Sequence, residues 1–196
     1  MQVSLSDLIA GALAGKLVSF PTDTVPALAA QPQASHLIFA AKQRSQTKPL
    51  ILMAAAPDDL WEYTTGSDRD RTLWQSIAMQ YWPGALTLVL PASDRIPPAM
   101  NSIDPTTIGV RIPNSAIARQ ILAQTGPLAT TSANRSGEPP LLTLAEIDAA
   151  FPDALTPILP EATHARQGMP STVVKWTKSG WEILRQGEIP FKGETP

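Results

Sequence analysis

Lys42, Arg44 and Lys48 place three cations within seven residues, in the stretch KQRSQTKPL, just ahead of the apolar run ILMAA. On an extended backbone, residues two apart leave the same face, so Lys42 and Arg44 can be aimed together. Pro49 pushes Lys48 away from helical geometry. Cations held on irregular backbone in front of a buried strand suit an anion, a phosphate or a carboxylate. A solvated basic loop is the plain structural alternative. Further polar groups fall where the sequence places strand ends: PTDT with Thr22, Asp23 and Thr24, then Arg111, TTSAN with Thr131, Ser132 and Asn134, Ser171-Thr172, and Arg185. Open α/β sheets bind ligands at such ends. The set is rich in cations and hydroxyls but offers no obvious general-base histidine. It would bind and orient an anionic substrate rather than attack it, the pattern of phosphoryl and nucleotidyl transfer.

Composition narrows the classes. The 196 residues, 43% hydrophobic, are enough for one buried core, and the net charge of −2 argues against a general polyanion binder. Without cysteine there is no disulfide, thiolate metal site or thiol nucleophile. The two histidines, His36 and His164, lie too far apart in sequence to suggest a ligand pair, and no metal site is expected. His36, within an expected helix, reads as structural, and Trp61, Trp74 and Trp82 read as core packing. Neither GxxxxGK[ST] nor GxGxxG occurs. The start, MQVSLSDLIAGALAG, reads as an amphipathic helix rather than a secretory signal, and no apolar run is long enough to span a bilayer; a cytoplasmic protein without membrane contact is expected.

The elements that must position these groups alternate. A helix from Ser4 or Ser6 to Ala14 ends at Gly15, and Leu17–Phe20 is a strand with PTDTVPALAA as its exit. Ser35 caps a helix to Lys42, Leu50–Ala54 is a buried strand, and Ser67 to Asp70 opens a helix ending near Tyr81. Leu86–Leu90 and TTIGVRIP are strands, Ser115 caps a helix to about Gln124, and LATT is a strand. Thr143–Ala150 is a helix, a loose segment runs to Pro170, and STVVKW with WEILR forms a hairpin. The pattern is a single α/β domain over residues 1–196, with a twisted mixed parallel/antiparallel sheet flanked by helices.

FPTDTVPAL, KQRSQTKPLILM, WPGALTLVL, TIGVRIP, TTSANRSGEPP, STVV and ILRQGEI stand in the order found in the YrdC-like family, the threonylcarbamoyl-AMP synthases, which this chain resembles from about Leu17 to Ile189. The resemblance implies a large concave cationic cavity. It also implies a nucleotidyltransferase reaction in which L-threonine, bicarbonate and ATP, with Mg²⁺, give threonylcarbamoyl-AMP and pyrophosphate. The product serves adenosine-37 modification of tRNA through threonylcarbamoyl-transfer proteins. Matched motif by motif, Thr24, Arg111, Thr131 and Ser171 resemble the threonine pocket. Arg44, Lys48, Thr107, Ser132, Ala133, Asn134 and Arg185 resemble the nucleotide side, with Lys42 and Arg44 as the catalytic cations. Where the family reads PTDTVYGLG, this chain reads PTDTVPALA, so Pro26 and Ala27 replace a tyrosine and a glycine. That departure motivates one alternative, a paralogue acting on another substrate. The other is a module binding tRNA or double-stranded RNA through the cationic cavity.

Overall fold

The computed structural model describes residues 1–43, 48–135, 137–159 and 168–192. Helix α1 (Leu5–Leu13) begins at Ser4, whose hydroxyl accepts from the Asp7 N–H, and its last turn runs out at Gly15 with φ 78°. Eight strands then build the main sheet. They are β2 (Val18–Phe20), β3 (Ala27–Ala30), β4 (Ile51–Met53), β5 (Leu86–Pro91), β6 (Thr107–Arg111), β7 (Leu128–Ser132), β9 (Thr172–Thr177) and β10 (Gly180–Arg185). Their order is β10-β9-β5-β6-β4-β7-β3-β2, parallel at β4–β6 and β5–β9 and antiparallel elsewhere. The short strands β1 (Gln2–Val3) and β8 (Thr156–Pro157) pair separately, in parallel. Helices α2 (His36–Lys42), α3 (Asp58–Trp61), α4 (Asp68–Tyr81), α5 (Ala116–Thr125) and α6 (Leu144–Ala150) complete the order.

Alternation along the strands divides the side chains between two faces. On one face Leu52, Leu86, Leu88, Leu90, Ile108, Val110 and Val174 pack with Ile38 and Phe39 of α2, Trp74 and Ile77 of α4 and Ile147 of α6. On the other, Val18, Phe20, Ala27, Ala29, Met53 and Leu128 lie with Leu8, Ile9 and Ala12 of α1 and Ala118, Ile121 and Leu122 of α5. These helices cover only the β2 side of that second face. Toward β9 the same face carries Thr87, Val89, Thr107, Gly109, Val173 and Lys175, and there it borders a cavity. A cavity and a hydrophobic core thus share one side of one sheet.

The structure departs from the sequence reading at several points. Ala27–Ala30, taken as an exit loop, is a fully buried strand between β2 and β7. Alanine has little strand preference, and here pairing on both sides overrides it. Ser35 is itself helical (φ −55°, ψ −25°) and makes no side-chain cap bond, because the turn Pro32–Ala34 already leads into α2. His36 is exposed at the first position of α2 rather than packed. The single-turn helix α3 and the strands β1 and β8 were not expected. The tryptophans do pack: Trp61 stacks on Trp82 at 6.1 Å, and Trp74, with no exposure, meets Trp176 edge-on.

Helix α4 starts with a reciprocal cap. The Ser67 hydroxyl accepts from the Asp70 N–H at 3.2 Å, and Asp70 Oδ2 accepts from the Ser67 N–H at 3.2 Å. The hydroxyl also donates to that carboxylate at 2.7 Å, which holds Asp70 below its ordinary value of 3.8. A carboxylate whose pKa falls on folding stabilises above its unfolded pKa, and that contribution is lost as pH drops through the folded value. Ser67→Ala is expected to lower the unfolding free energy in urea at pH 7 by about 1 kcal/mol. The difference from wild type should narrow as pH falls below the ordinary aspartate value and through the lower folded value of Asp70.

Candidate functional site

The cavity has a volume of about 620 Å³ and lies on the open part of the second sheet face. Its floor is formed where β9, β5 and β6 run side by side, with Lys175 beside Val89 and Val89 beside Gly109. Gly109 keeps that floor low, since a Cβ there would stand 2.8 Å from Ile51 Cγ2 and 3.3 Å from Thr87 Cγ2. Four cations line the cavity among the described residues, Lys42, Lys48, Lys175 and Arg185, against one carboxylate, Asp104. Hydroxyls of Thr87, Thr107, Thr130, Ser132 and Ser171 face the same space.

Lys42 does not sit on extended backbone. It is the last residue of α2, 2% exposed, and the chain leaves the helix through Gln43 at φ 49°. Its Nζ donates to the carbonyls of Ser132 and Asn134 and to Asn134 Oδ1. The ammonium therefore gathers the exit of β7 from below, and the apolar packing of α2 holds its stem. Asn134 accepts a further bond from Ser132 Oγ and donates to the carbonyls of Arg135 and Glu138, which closes the TTSAN turn on itself. Lys48 is exposed at the cavity rim. Arg44, expected to share a face with Lys42, lies outside the described residues.

Ser171 and Arg185 meet at the opposite wall. Ser171 Oγ is 2.9 Å from Thr87 Oγ1, and the Arg185 Nε and one terminal nitrogen donate to the Ser171 carbonyl at 3.2 and 2.9 Å. The chain after β10 returns directly over this point. Any Cβ at Gly187 would collide with the Pro170 carbonyl oxygen, and the Gly187 N–H donates to Thr172 Oγ1 at 2.9 Å. The motif ILRQGEI is thus the outer brace of STVV, which explains why a glycine follows the arginine by two positions.

Arg111 is set differently from the sequence reading. It is neither an edge residue nor a lining residue, but is 2% exposed at the end of β6, inside the sheet. Its Nε donates to the Gly84 carbonyl at 3.0 Å, one terminal nitrogen to Thr24 Oγ1 at 2.9 Å, and the other to Asp23 Oδ1 at 2.8 Å. Burial presses the guanidinium pKa down from its ordinary value, and the Asp23 charge pulls it back up. Strands β4 and β7 stand between β6 and β3, so the loop from Pro21 to Pro26 must fold over the sheet face to reach Arg111. Thr22 fixes that loop locally through bonds to Thr24 and to the Val25 carbonyl. Pro26 is buried, and its carbonyl accepts from the Ala133 N–H at 2.8 Å, tying the loop to the TTSAN turn.

Of the residues singled out in the sequence, Lys42, Lys48, Thr107, Thr131, Ser132, Asn134, Ser171 and Arg185 border the one cavity. Thr24, Arg111 and Ala133 do not line it; Ala133 is wholly buried beneath the turn. The register of β7 places Thr131 opposite Leu28 and Thr130 opposite Ile51. Thr130 and Ser132 therefore share the cavity face, while Thr131 alternates away from it. Sequence reasoning missed Thr87, Thr130, Asp104 and Lys175. Period-2 alternation within LTLVL and STVVKW is the signal that carries Thr87 and Lys175, since both fall in phase with cavity residues on neighbouring strands. Among the described residues no three His, Asp or Glu groups lie close enough to hold a metal ion, and no helix is long and apolar enough to cross a membrane.

A mixed eight-stranded sheet with a cation-lined hollow on one face defines the architecture of this α/β domain. The chain belongs to the Sua5/YciO/YrdC domain family, whose model, described as telomere recombination, matches residues 12–187. It is similar to the threonylcarbamoyl-AMP synthase of Chromohalobacter salexigens, 34% identical over 173 residues that cover 86% of this chain and 90% of that protein. It is 33% identical to the synthase of Pyrococcus abyssi, over 91% of this chain but only 52% of that longer protein. Among solved structures, P. abyssi Sua5 complexed with L-threonine superposes with a TM-score of 0.81 at 29% identity, covering 97% of this chain and 56% of that one. E. coli YciO, at 22% identity and TM-score 0.77 over 93% of this chain and 88% of that one, shares the fold. The family resemblance and the mixed-sheet architecture read from the sequence both hold.

Removing one partner of a buried, hydrogen-bonded ion pair typically costs about 3–5 kcal/mol. Arg111→Leu should therefore lower the urea midpoint strongly and leave Asp23 without its cation. Adding Asp23→Asn should recover part of the loss, as a double-mutant cycle in chemical denaturation would show.

Proposed function

We propose that this chain is a threonylcarbamoyl-AMP synthase, a nucleotidyltransferase that joins L-threonine, bicarbonate and ATP. The observation that carries the reading is a cavity of about 620 Å³ in which the hydroxyls of Ser171 and Thr87 share the lining with a set of cations, with synthases at 30–34% identity as its relatives. Threonine takes up bicarbonate at its amine with loss of water. The resulting carbamate oxygen then attacks the α-phosphorus of ATP, a phosphorus–oxygen bond forms, and the bond to the β-phosphate breaks as pyrophosphate leaves. The substrate brings its own nucleophile, so no protein base of the histidine type is needed.

In this reading Ser171 offers its hydroxyl to the amino acid, and the loop carrying Thr24 closes that end because Arg111 holds it there. Arg111 acts as a positioning residue, since its bonds to Asp23, Thr24 and Gly84 already occupy the guanidinium. Lys42 keeps Ser132 and Asn134 turned toward the phosphates. Lys48 and Arg185 neutralise the charge that grows on the departing pyrophosphate, with Arg44 assigned to the same work from the sequence. Fixed cations of this kind need no rearrangement as charge develops. Mg²⁺ would enter with the triphosphate rather than in a protein cage, as is common for this ion. The product would supply tRNA adenosine-37 modification through partner proteins.

Incubation with L-threonine, bicarbonate and α-labelled ATP should yield threonine-dependent pyrophosphate and a labelled adenylate. Ser171→Ala should raise KM for threonine more than for ATP, and Lys48→Ala the reverse. Protein that binds ATP but gives no threonine-dependent adenylate would exclude the reading. A panel of other amino acids on the same assay tests whether Pro26 and Ala27 have changed the substrate.

A further inference from the structure

Asp104 is out of keeping with its surroundings. It is the single carboxylate among the described residues lining a cavity that four cations otherwise dominate. It is also firmly built in. Its Oδ1 accepts from Thr106 Oγ1 at 2.5 Å, its Oδ2 accepts from Thr107 Oγ1 at 3.2 Å, and its N–H donates to Asn101 Oδ1 at 3.2 Å. Asn101, itself buried, bonds Thr107 as well, at its hydroxyl and carbonyl. A carboxylate placed this way faces any polyanion in the cavity with a like charge.

Its partner is the flexible one. Lys175 Nζ lies 3.3 Å from Asp104 Oδ2, and about a third of each side chain remains open (34% and 39%). Lys175 extends from β9 on the cavity face, one strand from Val89, on a four-carbon stem that can swing its charge through several ångströms. The Thr106 hydroxyl bond holds the Asp104 carboxyl below its usual range, with burial opposing that shift and the Lys175 bond adding to it, so the carboxylate stays charged at neutral pH. A half-open pair of this kind contributes little to stability and is readily exchanged.

We propose that Asp104 is an internal counter-ion that Lys175 exchanges for the polyphosphate of the nucleotide. In the empty cavity Asp104 holds Lys175 against the wall and offsets the mutual repulsion of the cations. When a triphosphate enters, Lys175 swings from the carboxylate to the outer phosphates, while Asp104 stays anchored by the two threonine hydroxyls. The exchange weakens nucleotide binding below what the cations alone would give, which favours release of the pyrophosphate product. It also makes the cavity discriminate by phosphate number, because a monophosphate lacks the outer charge that draws Lys175 away. This inference rests on the nucleotide reading of the cavity.

The test is calorimetric binding of ATP, AMP and inorganic tripolyphosphate to wild type, Asp104→Asn, Lys175→Met and the double variant, with thermal unfolding as a control for folding. Asn keeps an acceptor oxygen for Thr106 and turns an amide N–H to the Thr107 hydroxyl, which can accept it. Asp104→Asn should tighten ATP and tripolyphosphate about five- to tenfold, the effect of one charge a few ångströms away across a solvated site. Lys175→Met should weaken them by a similar factor, with AMP little changed. Exchange further requires non-additivity: the loss on Lys175→Met must be larger in the Asp104→Asn background, where the lysine has no competing partner, than in wild type. Additive effects, or tripolyphosphate binding indifferent to Asp104→Asn, would overturn the exchange while leaving the nucleotide reading intact. Failure of wild type to bind ATP or tripolyphosphate at all would overturn both.

Discussion

The buried contact between Arg111 and the loop carrying Asp23 and Thr24 is what the rest of this structure depends on. Without it the connection from β2 to β3 would be an ordinary hairpin loop running off the edge of the sheet. With it, the loop lies back across the sheet face and reaches β6. The arrangement is costly in isolation, because desolvating a guanidinium and a carboxylate takes several kcal/mol each. Three directed bonds from one planar group, two of them to the same loop, offset that cost through geometry that lysine could not reproduce. An arginine inside the domain therefore holds a loop that would otherwise be elsewhere.

A second organising choice is the division of one sheet face between core and site. Near β2 the face is paved with Val18, Phe20, Ala29 and Leu128 and roofed by α1 and α5. Near β9 the same register positions carry Thr87, Val89, Gly109, Val173 and Lys175, and among the described residues no helix covers them. The reverse face is largely apolar and buried under α2, α4 and α6, which anchors the strands. The aromatic run Trp74, Trp176, Trp181 and Phe191 fastens the β10 edge from the same side.

Much of this was legible in the sequence. The helix starting at Ser67, the capped helix at Ser115, the strand Leu86–Leu90 and the closing hairpin are local features, set by caps, prolines and period-2 runs, and they fall where expected. The polar motifs collect at strand ends for the same reason. What could not be read was set by long-range pairing. ALAA becomes a strand only because β2 and β7 lie on either side of it, and alanine announces no such preference. Arg111 looks like a site cation until the loop that occupies it is placed. Lys42 ends its helix where expected, but the shared face with Arg44 rested on an extended backbone that the helix replaces. Thr87 and Lys175 were overlooked because an isolated polar residue in a strand reads as an interruption, and only the register of three neighbouring strands turns it into a wall.

Gly187 has a broader consequence. The segment that follows the last strand presses its backbone on Pro170 and Ser171 so closely that only a hydrogen atom fits between them. One wall of the cavity is therefore assembled from two stretches of chain, and the later one has to be in place before the earlier one can hold its shape. A chain cut before this glycine would keep every strand of the sheet, yet it would lose the backbone that braces Ser171 and the Ile189 and Phe191 side chains that pack on the core.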